Sequence, residues 1–367
     1  MEEQLDMLSK GMTLEKRQKV WGWMMGGPAF FGLAFFVILP FVMAIAMTFT
    51  NQRLLSPYPT EFVGMQNYER LLGINYVVLS PLEDEAGELI LDQNDDPIYP
   101  RLRTVLRSDY PKLRYYYQLA SIKVWDDKAF VLLARDPVFW RSLWNTLSFV
   151  LLVVPLQGCV ALGLALLVNQ GLKGTLFFRT VFFAPVVTSM VVVSIVWTFL
   201  YHKDMGAINV YLRWFSLGLL GPVDWLGDKA WAIPSIVIMS AWQGAGVQML
   251  IFLAGLQGIP KEQYEAASID GANRWQRFRY ITLPGLKNTL VFIVISTTIA
   301  AFGLFTQVDV MTQGGPQDST STVMYHAITQ GYRQMDIAYG ATISVVYFIV
   351  IFIIALLQKR FMSRRQK

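Results

Sequence analysis

Charge, cysteine and histidine are all scarce in this chain of 367 residues. Only 16% of the residues are charged, against roughly 25% in an ordinary soluble domain. The single cysteine, Cys159, excludes an intrachain disulfide and a thiolate metal cluster. Hydrophobic residues make up 54% of the chain, which excludes a disordered protein and argues against a soluble enzyme.

Six long segments contain no Asp, Glu, Lys or Arg at all: 21–52, 143–172, 180–201, 230–260, 288–308 and 337–358. Each holds about 20 mostly apolar residues, the length that a helix needs to cross about 30 Å of hydrocarbon. One such run alone could be a buried core helix, but six favour a membrane. A barrel is excluded because its strands alternate polar and apolar residues over about 10 positions. We predict an all-α polytopic membrane protein with six transmembrane helices.

The distribution of basic residues predicts the orientation. If the N-terminus is cytoplasmic, the cytoplasmic segments hold 16 Lys and Arg residues and the two short outer loops hold 4. The long loop 51–142 is set aside because long loops translocate largely regardless of charge. Both termini are therefore expected in the cytoplasm. The first apolar run is too long for a cleavable signal peptide, whose core spans about 7–15 residues.

These patterns divide the chain into five parts. Residues 1–20 form a cytoplasmic N-terminal segment and 21–50 the first transmembrane helix. Residues 51–142 form an extracytoplasmic loop, whose middle part, 73–135, is long enough for a cap of short strands and helices. A five-helix transmembrane core, 143–357, and a basic cytoplasmic tail, 358–367, complete the chain. Prolines within the runs, at Pro40, Pro155 and Pro185, can kink their helices.

The absence of ionisable residues from the six runs also limits the function. Ion-driven carriers and many channels need such groups at membrane depth, so any transport by this chain should draw its energy from elsewhere. Neutral polar residues do occur at depth, among them Gln157, Ser240, Gln243, Gln248 and Thr297. They suit an uncharged polyhydroxylated solute, although hydrogen bonding between helices is the simpler explanation for any one of them.

The loop 261–284 carries the most informative motif. Helix formers fill 261–270, and Gly271 can take the left-handed conformation that ends a helix. A second short helix can follow before Pro284. The pattern predicts a helix–turn–helix with small residues at its surface, a shape suited to docking a soluble partner. A simple connection between two spans is the alternative.

Several motifs together resemble one family. Glu265-Ala266-Ala267, Asp270-Gly271-Ala272 and Ile281-Thr282-Leu283-Pro284 resemble the coupling loop of permease subunits of ATP-binding cassette (ABC) importers, and more narrowly of carbohydrate-uptake permeases of the MalF type, with glycerol-phosphate permeases as near relatives. Supporting segments are 62–68, 136–146, 314–316 and 338–340. The insertion at 73–135 is longer than in most six-span members.

The resemblance implies a fold and a set of partners. The fold would be that of type I ABC importer permeases, in a bacterial cytoplasmic (inner) membrane. The chain would pair with a second, homologous permease subunit, sit on two ATP-binding subunits and receive a small neutral solute from an extracytoplasmic solute-binding protein. ATP and Mg²⁺ would bind to the partner subunits. No metal, cofactor or catalytic residue is expected in this chain, in which the phosphate-loop pattern GxxxxGK[ST] is absent.

The resemblance also implies two groups of site residues. The surface that faces the ATPase would comprise Glu265, Ala266, Ala267, Asp270, Gly271 and Ala272. The solute path would comprise Ser240, Trp242, Gln243, Gly244, Gln248, Thr297, Ala301 and Leu304. Amino-acid or phosphate import is the nearer alternative to sugar import, and an ion-driven carrier or a membrane-embedded enzyme the more distant ones.

Overall fold

The computed structural model describes residues 13–84, 89–93, 96–123, 128–170 and 174–364, with side chains as far as residue 360. Fourteen helices and three strands follow one another within these ranges. The helices are α1 (Leu14–Met47), α2 (Gln66–Leu72), α3 (Leu102–Ser108), α4 (Pro137–Val168), α5 (Thr175–Val187), α6 (Met190–Leu200), α7 (Ala207–Phe215), α8 (Lys229–Gln257), α9 (Lys261–Ile269), α10 (Arg274–Gly285), α11 (Lys287–Phe302), α12 (Thr306–Met311), α13 (Val323–Ile328) and α14 (Ile337–Arg364). The strands are β1 (Ile74–Leu79), β2 (Tyr117–Lys123) and β3 (Ala129–Ala134).

Four of these helices, α1, α4, α8 and α14, are long and apolar enough to cross a membrane. Two further pairs pass the same test only together, α5 with α6 and α10 with α11, and they bend by 98° and 65° at their junctions. The number of spans is therefore six if each bent pair counts as one.

The run 180–201 was expected to form one helix, and the structure divides it. The backbone is extended at Thr188 and Ser189, with ψ of 137° and 134°. Pro185 precedes this break and cannot donate a backbone hydrogen bond, which weakens the last turn of α5. By contrast, Pro155 lies inside α4 without ending that helix.

Helix α8 lies at the centre of the bundle. In its most apolar stretch of 18 residues, 61% of the residues are buried, whereas none are buried in the corresponding stretch of α1. Ala161 and Ala165 of α4 pack against Phe252 and Leu256 of α8. Gly246 allows the α5 backbone to approach α8, because a side-chain carbon there would collide with the Phe182 carbonyl. Small residues permit this kind of close helix packing in membranes.

The described part of the insertion contains three short strands and a short helix. Its sheet has the order β1-β3-β2, with both pairs antiparallel and Ile74 opposite Ala134. Val77, Val131 and Leu133 form a small core with Leu106 of α3. We call the described residues of 73–135 the cap.

The cap and the α9–α10 loop, residues 261–285, lie at opposite ends of the bundle. Strand β3 leads directly into the first turn of α4, while the last turns of α4 and α8 pack together. The two helices therefore run in the same direction, and the chain leaves α8 into α9 at the end away from the cap. We refer to these as the cap end and the loop end.

Candidate functional site

A cavity of about 370 Å³ lies between α4, α8 and α11. Each helix presents one face to it, as the helical repeat requires. The side chains and glycines that line it are Phe149, Val153, Gln157, Met190, Ser240, Gln243, Gly244, Val247, Gln248, Ile251, Ser296, Thr297, Ala300, Ala301, Gly303, Leu304 and Gln307. All of these lining residues are neutral, and four are glutamines. Ligand pockets of small molecules have volumes of this order.

Two buried polar atoms in the wall have no hydrogen-bond partner among the described residues. Gln248 donates its amide to the Thr297 hydroxyl, but its own carbonyl oxygen Oε1 accepts no hydrogen bond. The Ser240 hydroxyl is likewise unpartnered. Gln248 and Ser240 are only 6% and 7% exposed, and leaving such a group unsatisfied costs about 1–3 kcal/mol. The two residues lie eight positions, about 12 Å, apart on α8, so two different hydroxyls of one ligand could satisfy the two atoms.

Gln157 reaches the cavity because α8 has a glycine opposite it. A side-chain carbon at Gly244 would collide with the amide nitrogen of Gln157. Gly244 therefore leaves room for this amide between α4 and α8. The amide adds a further hydrogen-bonding group to the polar wall that Gln248 and Ser240 provide.

The structure brings seven of the eight proposed solute-path residues together in this cavity. The exception is Trp242, which is not among the lining residues. Its ring packs instead against Trp197 of α6, with ring centroids 5.5 Å apart. The reason is the helical repeat: Trp242 directly precedes Gln243 and so lies about 100° around α8 from the cavity face.

Two lining glutamines were not predicted as site residues. Gln157 was recognised in the sequence only as a polar residue at depth, and Gln307 lies in α12, beyond the end of α11. The signal that could have found Gln157 is the spacing of Phe149, Val153 and Gln157, which recur every four residues on one face of α4.

The α9–α10 loop is a helix–turn–helix. Helix α9 ends at Ile269, and Gly271 has a φ of 76°, the left-handed conformation that favours glycine. The Ala272 N–H donates to the Ala267 carbonyl at 2.8 Å and closes the turn. Asn273 and Gln276 then exchange side-chain and backbone hydrogen bonds in a capping box that starts α10.

Two side-chain contacts fix the angle between α9 and α10. The Tyr264 and Thr282 hydroxyls are 3.0 Å apart, and Arg277 donates to the Ser268 hydroxyl at 3.0 Å. The residues proposed for partner docking lie on the outside of this frame. Glu265, Ala266, Asp270 and Gly271 are exposed, and Ala267 and Ala272 are half-buried.

A cluster of polar side chains, most of them buried, links several elements at the cap end of the bundle. We call Arg70, Asp136, His326, Asp336 and Tyr339 the cap-end cluster. Asp136 Oδ2 accepts hydrogen bonds from His326 Nε2 at 2.8 Å and from the Tyr339 hydroxyl at 2.5 Å. The Arg70 guanidinium lies 3.7 Å from the centre of the Tyr339 ring. Arg70 also forms a salt bridge with Asp336 at 3.0 Å. The cluster joins α2, α13 and the first turns of α4 and α14.

The carboxyl of Asp136 stays ionised in this setting. Burial by itself would raise its pKa, but the hydrogen bond and the charge of His326 oppose burial. Donation from Tyr339 and from the Phe139 N–H adds to this effect, and the pKa of Asp136 is lowered overall. The cluster thus links α4, α13 and α14 through hydrogen bonds to a buried carboxylate.

The chain resembles known transport proteins along most of its length. It is 35% identical to the lactose transport system permease protein LacF of Rhizobium radiobacter over 71% of this chain and 87% of that protein. It is 36% identical to the trehalose/maltose transport system permease protein MalF of Thermococcus litoralis, over 60% of this chain and 73% of that one.

A solved structure shows the same fold. It is the crystal structure of a bacterial ABC transporter involved in the import of the acidic polysaccharide alginate, with a TM-score of 0.66 over 97% of this chain and 100% of that chain, at 18% identity. The fold is therefore the type I ABC importer permease fold. The family model of binding-protein-dependent transport system inner membrane components matches residues 157–367, more than half of the chain. The chain belongs to this family of permease components of binding-protein-dependent ABC importers.

Proposed function

We propose that the solute is a small neutral sugar, or a related polyol or glycoside, and that it passes through the cavity between α4, α8 and α11. The observation that carries this proposal is the pair of unpartnered polar atoms, Gln248 Oε1 and Ser240 Oγ, in a wall of neutral side chains. Sugar hydroxyls both donate and accept hydrogen bonds, so one such solute could satisfy both atoms.

Solutes with a net negative charge fit this cavity less well. Phosphate and carboxylate groups are commonly bound by Arg or Lys, and neither residue type is among those that line the cavity. This favours a sugar over glycerol phosphate. The names of two relatives point the same way, because LacF is described for lactose and the Bacillus subtilis protein AraP for arabinooligosaccharides.

The α9–α10 loop is proposed to dock on an ATP-hydrolysing partner. A second, homologous permease subunit would complete the translocation pathway, and two ATP-binding subunits would hold ATP and Mg²⁺. Glu265, Ala266, Ala267, Asp270, Gly271 and Ala272 would form the docking surface. In support, Tyr264 and Arg277 brace the loop from within, so that movement imposed on α9 would be transmitted to α10 and α11.

The proposed orientation places the loop end and both termini in the cytoplasm of a bacterial cell. The cap would then face outward, towards the solute-binding protein. The count of 16 basic residues against 4 supports this orientation. The cap end and the loop end lie at opposite ends of the bundle, as this orientation requires.

Uptake by the reconstituted transporter tests the solute path. Binding assays on the solute-binding protein would first identify the sugar. We then expect Ser240→Ala and Gln248→Leu to reduce the uptake rate several-fold at a fixed concentration of sugar-loaded binding protein. Gln358→Leu is the matched control, because this glutamine donates to Thr298 and does not line the cavity. Uptake at the wild-type rate in both cavity variants would refute the proposed path.

A further inference from the structure

Helix α7 and the turn after it expose an apolar face at the cap end. Trp214 and Phe215 are 70% and 76% exposed, and Leu217 and Leu219 are 91% and 87% exposed. Tyr211 lies one helical turn before Trp214 and Phe215, on the same face, and is also exposed. The sequence suggested only a short outer loop here, yet an apolar face of this size is unusual on a surface in contact with water.

The opposite side of α7 is fixed to the flanking parts of the 201–228 connection by one buried side chain. Asn209 donates to the carbonyls of Lys203 and Val223 at 2.9 and 2.8 Å. Its oxygen accepts from the Val223 N–H and from the indole N–H of Trp225. All the hydrogen-bonding groups of this amide are thus used, and α7 cannot roll its apolar face inward without breaking them.

The position of α7 indicates what covers this face. Its chain leaves α6 at Leu200 and enters α8 at Lys229, so both ends of the segment lie at the border of the membrane. On α6, which precedes this segment, the apolar side chains of Val196 and Phe199 are exposed as well. Trp and Tyr are enriched at the membrane–water boundary because their rings are partly polar.

We propose that α7 and the turn through Leu220 form an interfacial anchor, which lies in the headgroup–acyl boundary of the leaflet on the cap side. The occupant of the apolar face is lipid. Arg213 lies on the polar side of the helix, where it can meet lipid phosphates. The anchor would hold the cap ends of α6 and α8 in register, because the Trp225 bound by Asn209 packs against Tyr201, with ring centroids 5.6 Å apart.

Depth-dependent fluorescence quenching tests the anchor in the whole transporter. In a Cys159→Ser background, Trp214→Cys, Phe215→Cys and Leu219→Cys would each carry an environment-sensitive dye, in nanodiscs with all partner subunits present. We expect strong quenching by phosphatidylcholine with a doxyl group at carbon 5 and little quenching by aqueous iodide, as for a helix about 5–10 Å below the surface. Asp204→Cys is the matched control in the same loop and should show the reverse.

Two results would overturn the proposal. Strong iodide quenching at the three apolar sites would place the face in water. Protection from both quenchers would show that a protein partner covers it. If the cysteine variants assemble poorly, a carbene reagent carried on a lipid acyl chain can be applied to the unmodified transporter, and absence of labelling within 207–220 would equally exclude the anchor.

Discussion

The cap-end cluster and the α9–α10 loop both contain motif residues, but their polar groups find partners in different places. Asp136 accepts hydrogen bonds from His326, from Tyr339 and from the Phe139 N–H, all within the chain. In the loop, no hydrogen bond from another described residue reaches the side chain of Glu265 or Asp270, and both are exposed.

The difference indicates two physical reasons for a motif. The cap-end cluster is needed to hold the fold together, since removing one partner would leave buried groups unsatisfied. The exposed residues of the loop have no such role within the chain, which is the pattern expected of a surface that awaits a partner. Substitutions in the first region should therefore reduce stability, and substitutions in the second should reduce function without unfolding.

The largest effect should come from a bulky side chain on the loop. Ala266 is exposed, so Ala266→Trp should fit the isolated chain without a clash and leave membrane insertion intact. If α9 enters a narrow cleft on the ATPase, the indole would block entry and abolish both uptake and solute-stimulated ATP hydrolysis. Uptake and hydrolysis in reconstituted transporter measure this.

Lys261→Trp provides the matched control for this substitution. Lys261 is also exposed on α9 but lies well around the helix from Ala266, so uptake should persist in this variant. Wild-type uptake in Ala266→Trp, with the ATPase bound normally, would contradict the proposed docking surface.

Asp136→Asn tests the other side of the comparison. Asp136 and His326 are both buried, and removing the partner of a buried hydrogen-bonding group typically destabilises by about 1–3 kcal/mol. We expect a clear fall in the thermal unfolding midpoint in detergent, with uptake per folded molecule largely retained. An unchanged unfolding midpoint would show that the cap-end cluster does not stabilise the fold.

The pH dependence of stability should identify the carboxylate itself. Because the folded pKa of Asp136 lies below its ordinary value of 3.8, its contribution is complete above that pH and is lost as the pH falls through the folded pKa. The difference in stability between wild type and Asp136→Asn should therefore be constant near neutral pH and shrink in acid. A difference that grew in acid would contradict the assigned role.

The sequence predicted the elements whose signals are local. Uncharged runs located α1, α4, α8 and α14, and Gly271 located the turn of the loop. The motif residues Asp136 and Tyr339 were noted separately, but nothing in the linear order shows that they touch. Their contact depends on how α4 and α14 pack, which is a property of the whole bundle.

The sequence and the structure differ where the packing of helices determines the conformation of the backbone or the direction of a side chain. A hydropathy pattern treats 180–201 as one run, because it does not register the extended backbone at Thr188 and Ser189. The family resemblance places Trp242 in the solute path, whereas its position on α8 directs its ring to Trp197. The sequence does not identify Gln157 as a site residue, because the access of its side chain to the cavity depends on Gly244, a residue of another helix.

A pair of adjacent threonines sharpens the comparison inside the bundle. Thr297 lines the cavity and accepts from Gln248, whereas Thr298 accepts from Gln358 outside it. Both are buried, and each change to valine leaves a glutamine amide without its partner, so each should cost similar stability, about 1–3 kcal/mol. Only Thr297→Val should also slow uptake, by a few-fold. Equal uptake by the two variants would contradict the proposal that the solute passes through the cavity.

The smallest effect should come from loosening the frame of the loop. Tyr264→Phe removes only the hydroxyl that meets Thr282, a loss of about 0.5–1.5 kcal/mol. The docking surface itself stays unchanged, so ATPase binding should persist, while the number of solutes moved per ATP falls modestly because α9 can shift without moving α10. Tyr280→Phe is the control, since Tyr280 is exposed and no hydrogen bond from another described residue reaches its hydroxyl. A transport ratio equal to that of wild type in Tyr264→Phe would mean that the loop works as a docking surface alone, and that its internal contacts, like those of the cap-end cluster, serve only the fold.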